Sequence, residues 1–215
     1  MFLELFRSEL DNATSDKAVA DRLYAQVQNA YREQGRHYHN LLHLDHIARQ
    51  LFPARYQIKD LQTLVFSIAY HDIVYDVSRK DNEEKSADIA VEILTDLDVP
   101  ARQVELCREQ ILATAGHGVS GHSDTNYFTD ADLSILGSDD ETYAAYAAGI
   151  RMEYAIYPEI LYNPGRIAVL QKFLEMPRIF KTGFFAEKFE NQARLNISNE
   201  LKVLNNPKLQ AGFPE

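Results

Sequence analysis

The sequence predicts an all-α protein, and three observations carry that expectation. Apolar residues recur at spacings of three and four along most of the chain, the period of a helix with one buried face. Glycine (9) and proline (7) are sparse and fall mainly between the periodic stretches, where they act as breaks. No segment reads as a strand. Hydrophobic residues make up 46% of the 215 residues, enough for a real core in one domain.

Each element follows from its own pattern. Residues 16–34 form a helix whose apolar stripe is Val19, Leu23, Val27 and Ala30. Residues 40–52 form the next, with Leu41, Leu44, Ile47, Ala48 and Leu51 inward and Pro53 as the stop. Residues 60–71 are strongly apolar, the mark of a buried helix, and end at His71-Asp72. Asp81 or Asn82 caps a further helix, with Glu83 and Glu84 in its first turn, where negative charge meets the positive helix end. Its inner face is Ala87, Ala90, Val91 and Leu94.

Pro100 opens a helix carrying Val104, Leu106, Ile111 and Leu112. Residues 116–126 read as a polar, glycine-rich loop, and a helix resumes over 128–136. Ser138 or Asp139 caps a long helix to about Tyr157; its many tyrosines suit core packing, with a homodimer face as the alternative. Asn163 reads as an N-cap with Pro164 in the first helical position, and Pro177 stops that helix near Met176. A last helix covers about 184–204, and residues 205–215 fray. With no repeat or linker, the expectation is a single domain over 1–215. Its core covers about 16–157, and a helical extension covers about 158–205.

Charge and cysteine content narrow the function. A formal net charge of -10 argues against a nucleic-acid polymer or an anionic membrane as partner. An anionic small substrate would then need a metal or a local cation. The single Cys107 permits no internal disulfide, which fits a reducing cytoplasm, and its apolar helical context makes it core. Glu4, Arg7 and Glu9 interrupt the N-terminal segment, so it lacks the architecture of a secretory signal. No apolar run approaches the roughly 18 residues of a membrane span. The expectation is a cytoplasmic protein.

Against this background, metal-seeking side chains are concentrated. Three of the seven histidines, His37, His39 and His43, fall within seven residues. The adjacent pair His71-Asp72 ends an apolar helix, where two polar groups are costly to bury unless ligated or bonded to backbone. Asp130 and Asp132 follow; on a helix they face different ways, so one of them ligates. His46 is a rival to His43, with capping or surface polarity as its ordinary role. Imidazole and carboxylate together suit divalent transition metals.

This ordered set, His43, His71-Asp72 and Asp132, resembles the HD-domain superfamily of metal-dependent phosphohydrolases. The resemblance implies a helical HD-like bundle with additional C-terminal helices. It implies His43, His71, Asp72 and Asp132 as metal ligands, Asp132 being preferred to Asp130 for its Ala131-Asp132-Leu133 context. Tyr38-His39-Asn40-Leu41-Leu42-His43 also looks like the Tyr-His-Asn-x-x-His motif of cyclic nucleotide phosphodiesterases, which implies His39 as proton donor to the leaving oxygen. The wider phosphodiesterase sequence is missing, so cyclic nucleotide hydrolysis does not follow. A further likeness, to bacterial predicted HD hydrolases, covers about residues 35–155 through YHNLLH, AYHDIVYD, DNEEKSA, ILATAGH, TDADLSILG and IRMEYA.

Some HD members hold a second metal with extra histidines. Glu83 and His117 stand near those positions and become candidates for a second ion, water activation or phosphate contact. The implied cofactor is one or two divalent ions among Mn, Fe, Co, Ni, Zn and Mg. The implied reaction is hydrolysis of a phosphoester or phosphoanhydride of a nucleotide or another small phosphorylated compound. Arg36 and Arg79 are candidate anion contacts, and Tyr38 and Tyr75 candidate pocket walls. Two readings compete: a di-iron oxygenase of HD type and a noncatalytic ligand-binding module.

Overall fold

A computed structural model describes residues 1–206. The described residues form ten α-helices and no strand. In chain order these are α1 (Phe2–Ala13), α2 (Lys17–Ala30), α3 (Leu41–Leu51), α4 (Leu61–Tyr70), α5 (Asn82–Asp96), α6 (Ala101–Ala113), α7 (Ser123–Leu133), α8 (Asp140–Glu153), α9 (Glu159–Glu175) and α10 (Gly183–Leu204). Short 3-10 helices occupy Phe52–Gln57 and Ser134–Gly137. Most of the expected tail, 207–215, lies outside the described residues. The chain divides into two compact units, Met1–Asp132 and the part from Leu133 onward.

In the first unit the helix starts are written in the sequence. Asp16 accepts from the amides of Ala18 and Val19, Asn40 from Leu42, and Asp60 from Thr63. Each such cap contributes roughly 1 kcal/mol. The hub is α4, buried without interruption from Thr63 to Tyr70, with α1, α3, α5 and α6 around it. Phe6 of α1 meets Phe66 and Tyr70 edge-on at 5.9 and 6.2 Å between ring centres. One polar knot interrupts this core. Ser67 donates to Gln110 Oε1 at 2.6 Å, with the Thr63 carbonyl at 3.0 Å and Cys107 Sγ at 3.3 Å from its Oγ. Burial pushes the Cys107 thiol up to about 12.

Several expectations are corrected here. The sequence reading gave no helix to the N-terminus. Phe2, Phe6 and Leu10, four residues apart, form one fully buried stripe of α1, and the Phe2 amide donates to Asp45. On α2 the buried stripe is Ala20, Leu23 and Val27, continued by Tyr31, while Val19 and Ala30 are only half-buried. The α-helix ends at Leu51, just before Pro53 as expected, and the chain continues as a 3-10 segment with Pro53 at its start, where the missing N–H is not needed. The predicted loop over 116–126 is shorter, because α7 begins at Ser123. The cause is Asp124, fully buried, whose Oδ2 accepts the Lys59 and Asp60 amides at 2.9 and 2.8 Å.

The second unit corrects the reading of Asn163-Pro164. These residues lie inside α9, which starts at Glu159 after Pro158. A proline there leaves the Ile160 carbonyl without its helical partner, and Ile160 is an exposed position. Asp139 caps α8 through the Thr142 amide, as one of the two expected caps. Arg166 and Glu200 form a two-pronged ion pair at 2.8 and 3.0 Å, joined by the Tyr143 hydroxyl, which donates to Glu200. Gly137 packs on α10: a Cβ there would stand 2.6 Å from Phe189 Cβ and 2.7 Å from its carbonyl oxygen. Gly137→Ala should therefore destabilise this unit by about 1–3 kcal/mol, an overpacking cost. A lowered urea midpoint at unchanged slope would show it; an unchanged midpoint would show that the helix moves freely.

Candidate metal centre

The site forms where α3, the end of α4 and α7 meet. His43 lies in the first turn of α3 and is buried by the same turn that buries Leu44 and Ile47. His71 is the C-cap of α4, 1% exposed; its amide still bonds back to Ser67, so the helix aims it inward. Asp132 lies at the end of α7, one residue after the fully buried Ala131.

Three atoms converge. His43 Nε2 is 3.2 Å from His71 Nε2 and 3.3 Å from Asp132 Oδ1, and His71 Nε2 is 4.0 Å from the same oxygen. Two donors sharing an ion at about 2.0–2.2 Å lie roughly 3–4.4 Å apart, so these spacings fit one divalent cation. Two imidazole nitrogens face to face cannot both donate, and a shared cation would use both lone pairs. His71 Nδ1 meets the Ile68 carbonyl at 3.0 Å, which leaves Nε2 as the ligating nitrogen. His43 Nδ1 is buried without a partner.

Asp72 flanks this cluster, with Oδ2 3.1 Å from His71 Nε2 and 3.9 Å from His43 Nε2. Burial disfavours charge on His71, but the Asp72 carboxylate outweighs it and raises the imidazole to about 9. Burial likewise opposes charge on Asp72, and His71 reverses it, holding the carboxyl below its usual range. Asp132 is also held well below that range: burial is outweighed by its bonds to His117 and His43. For His43 burial wins, and the imidazole is lowered despite Asp132. Protons and a cation compete for this cluster.

Other predicted residues fall into two sets. His117 joins the cluster: its Nε2 is 2.9 Å from Asp132 Oδ2, and its backbone takes a left-handed φ of 51°, unusual outside glycine. His39 precedes the helix rather than sharing its face with His43, because Asn40 is the N-cap. Its ring nevertheless comes within 5.5 Å of the His43 ring, between Tyr38 at 4.9 Å and Tyr75 at 4.4 Å. Arg36 is buried and directs its guanidinium to backbone carbonyls. Arg79 is exposed and pairs with Asp81 at 2.6 Å. Glu83 is half-buried in the first turn of α5 and is not one of the three converging residues. Asp130 is fully buried, and Asp132, not Asp130, stands with His43 and His71.

Tyr31 and Phe128 are two further residues of the site that no local pattern marks as functional. The Tyr31 hydroxyl accepts the Asp72 amide at 3.2 Å, and Phe128 meets His71 edge-on at 5.6 Å. The spacing Leu23, Val27, Tyr31 marks only the burial of the first.

The fold and the cluster define an all-helical protein with a buried His/His/Asp group able to chelate one divalent cation. Among the described residues, no helix is long and apolar enough to cross a membrane. Compared with protein-family models, curated proteins and solved structures, the chain matches none.

Proposed function

We propose that this chain is a metal-dependent phosphohydrolase of HD type, acting on a nucleotide or another small phosphorylated compound. The observation that carries the proposal is the convergence of His43, His71 and Asp132 from separate helices into one buried group. The order of those residues, with Asp72 beside them, is the order of the HD signature.

In this reading His43, His71, Asp72 and Asp132 would hold the cation, and Asp72 would also orient a water or serve a second ion. A bound divalent cation supplies Lewis acidity toward a phosphoryl oxygen and a nucleophilic water near neutral pH. His39 donates the proton to the leaving oxygen; a side chain whose ordinary pKa is about 6.5 suits that exchange. Tyr38 and Tyr75, whose rings contact that of His39, would hold it in place and line the substrate's approach. His117 steadies Asp132 through Oδ2. Glu83 and Arg79 would serve in this reading as second-ion or anion contacts, although Arg79 is exposed and paired with Asp81.

The test is a phosphate-release screen across nucleotides, cyclic nucleotides and sugar phosphates, with Mn, Co, Ni, Zn and Mg, beside metal analysis of protein purified without chelator. The expected result is metal in the purified chain and phosphate release that chelator abolishes and metal restores. Turnover that requires dioxygen and iron would instead favour oxygenase chemistry. Metal binding with no turnover on any phosphate would leave a binding module.

A further inference from the structure

His71 is tied to the last turn of α4, but Asp72 lies beyond the helix end, and its backbone has no helical partner to fix it. The structure supplies two other partners. The Asp72 amide donates to the Tyr31 hydroxyl at 3.2 Å. The Asp72 carbonyl accepts from Arg36 Nη1 at 2.7 Å. Both polar groups of that backbone residue are thus held by side chains from the end of α2 and the segment after it.

The same guanidinium reaches further. Arg36 Nη2 donates to the Ile73 carbonyl at 3.1 Å, and Nη1 also reaches the His39 carbonyl at 3.3 Å. The guanidinium carbon sits 5.0 Å from the Tyr31 ring centre and 5.3 Å from that of Tyr75, whose ring lies on His39. A planar, permanently charged fork is suited to bridging several carbonyls at once, which an ammonium on a flexible stem is not. Arg36 is 8% exposed, and its two outer nitrogens are directed at the protein backbone.

We propose that Arg36 and Tyr31 are positioning residues of the metal centre. Together they form a brace that fixes the Asp72 backbone from both sides and locks the His39 segment to it. The inference rests on the metal-binding reading of the site. It changes the role of Arg36 from a contact for substrate anion to a device that sets where the Asp72 carboxylate and the His39 imidazole stand. Partners of this kind commonly change metal affinity by about 10–100-fold when removed.

Cobalt(II) titration of the full chain tests it, because visible absorption reports coordination geometry independently of stability. The variants are Tyr31→Phe, which keeps the ring and removes only the acceptor for the Asp72 amide, and Arg36→Lys, which keeps the charge and removes the fork. Circular dichroism checks their folding. The expected result is cobalt binding weakened about 10–100-fold, with a changed absorption spectrum at saturation. Unaltered spectra and affinities in the folded variants would overturn the brace while leaving the metal reading intact. No cobalt binding by the unaltered chain would overturn both. Hydrogen exchange at the Asp72 amide of the unaltered chain is a measurement free of variant folding: protection is expected, and exchange at the rate of an open loop overturns the brace.

Discussion

His71→Ala and Asp132→Ala each lose divalent metal binding, by more than the roughly 10–100-fold that loss of an outer partner costs. Both residues give an atom to the converging group. Asp72→Ala should follow them, since its carboxylate lies 3.1 Å from the His71 nitrogen. In the phosphohydrolase reading, turnover disappears with the metal. Titration with manganese or cobalt, beside circular dichroism to confirm the fold, is the measurement. Full metal content in folded His71→Ala and Asp132→Ala would remove the basis for the ligand assignment.

His39→Ala should behave in the opposite way. Its ring stands 5.5 Å from His43, close enough to serve the same substrate but outside the converging His43, His71 and Asp132 group. Metal content should therefore remain, while turnover on the substrate found in the screen falls about 10²–10⁴-fold, the ordinary scale of general acid catalysis. Equal loss of metal and turnover would make His39 a ligand; unchanged turnover would take proton donation away from it. The pair of results separates holding the cation from moving the proton.

The sequence made some parts of this molecule legible and hid others for physical reasons. A capping side chain is a local event: the cap expected at Ser138 or Asp139 is Asp139, whereas Asp81, expected on the same grounds, stands at the N-cap of α5 but makes no capping bond. The start of α7 was not legible, because Asp124 serves amides at Lys59 and Asp60, far away in the chain. Asn163-Pro164 was misread since its local chemistry is that of a helix start, while the chain had already entered α9 at Glu159. In the site, the resemblance implied His43, His71, Asp72 and Asp132; the structure gathers His43, His71 and Asp132 into one group, with Asp72 beside it. The supporting contacts were hidden. Arg36 looks like any surface cation in the sequence, and only tertiary packing turns its guanidinium toward three carbonyls.

Cys107 gives this protein a reporter of its own motions. It is the chain's single thiol, and it sits in the polar knot beneath α4, the hub that also carries His71. A thiol that is fully buried and hard to ionise reacts only when its surroundings open. The rate of its labelling by a disulfide reagent therefore counts openings of the first unit, one by one or as a population, depending on how fast the unit recloses. A cation tying α3, α4 and α7 together would register in that rate as a longer time between openings, read at a site that touches none of its ligands.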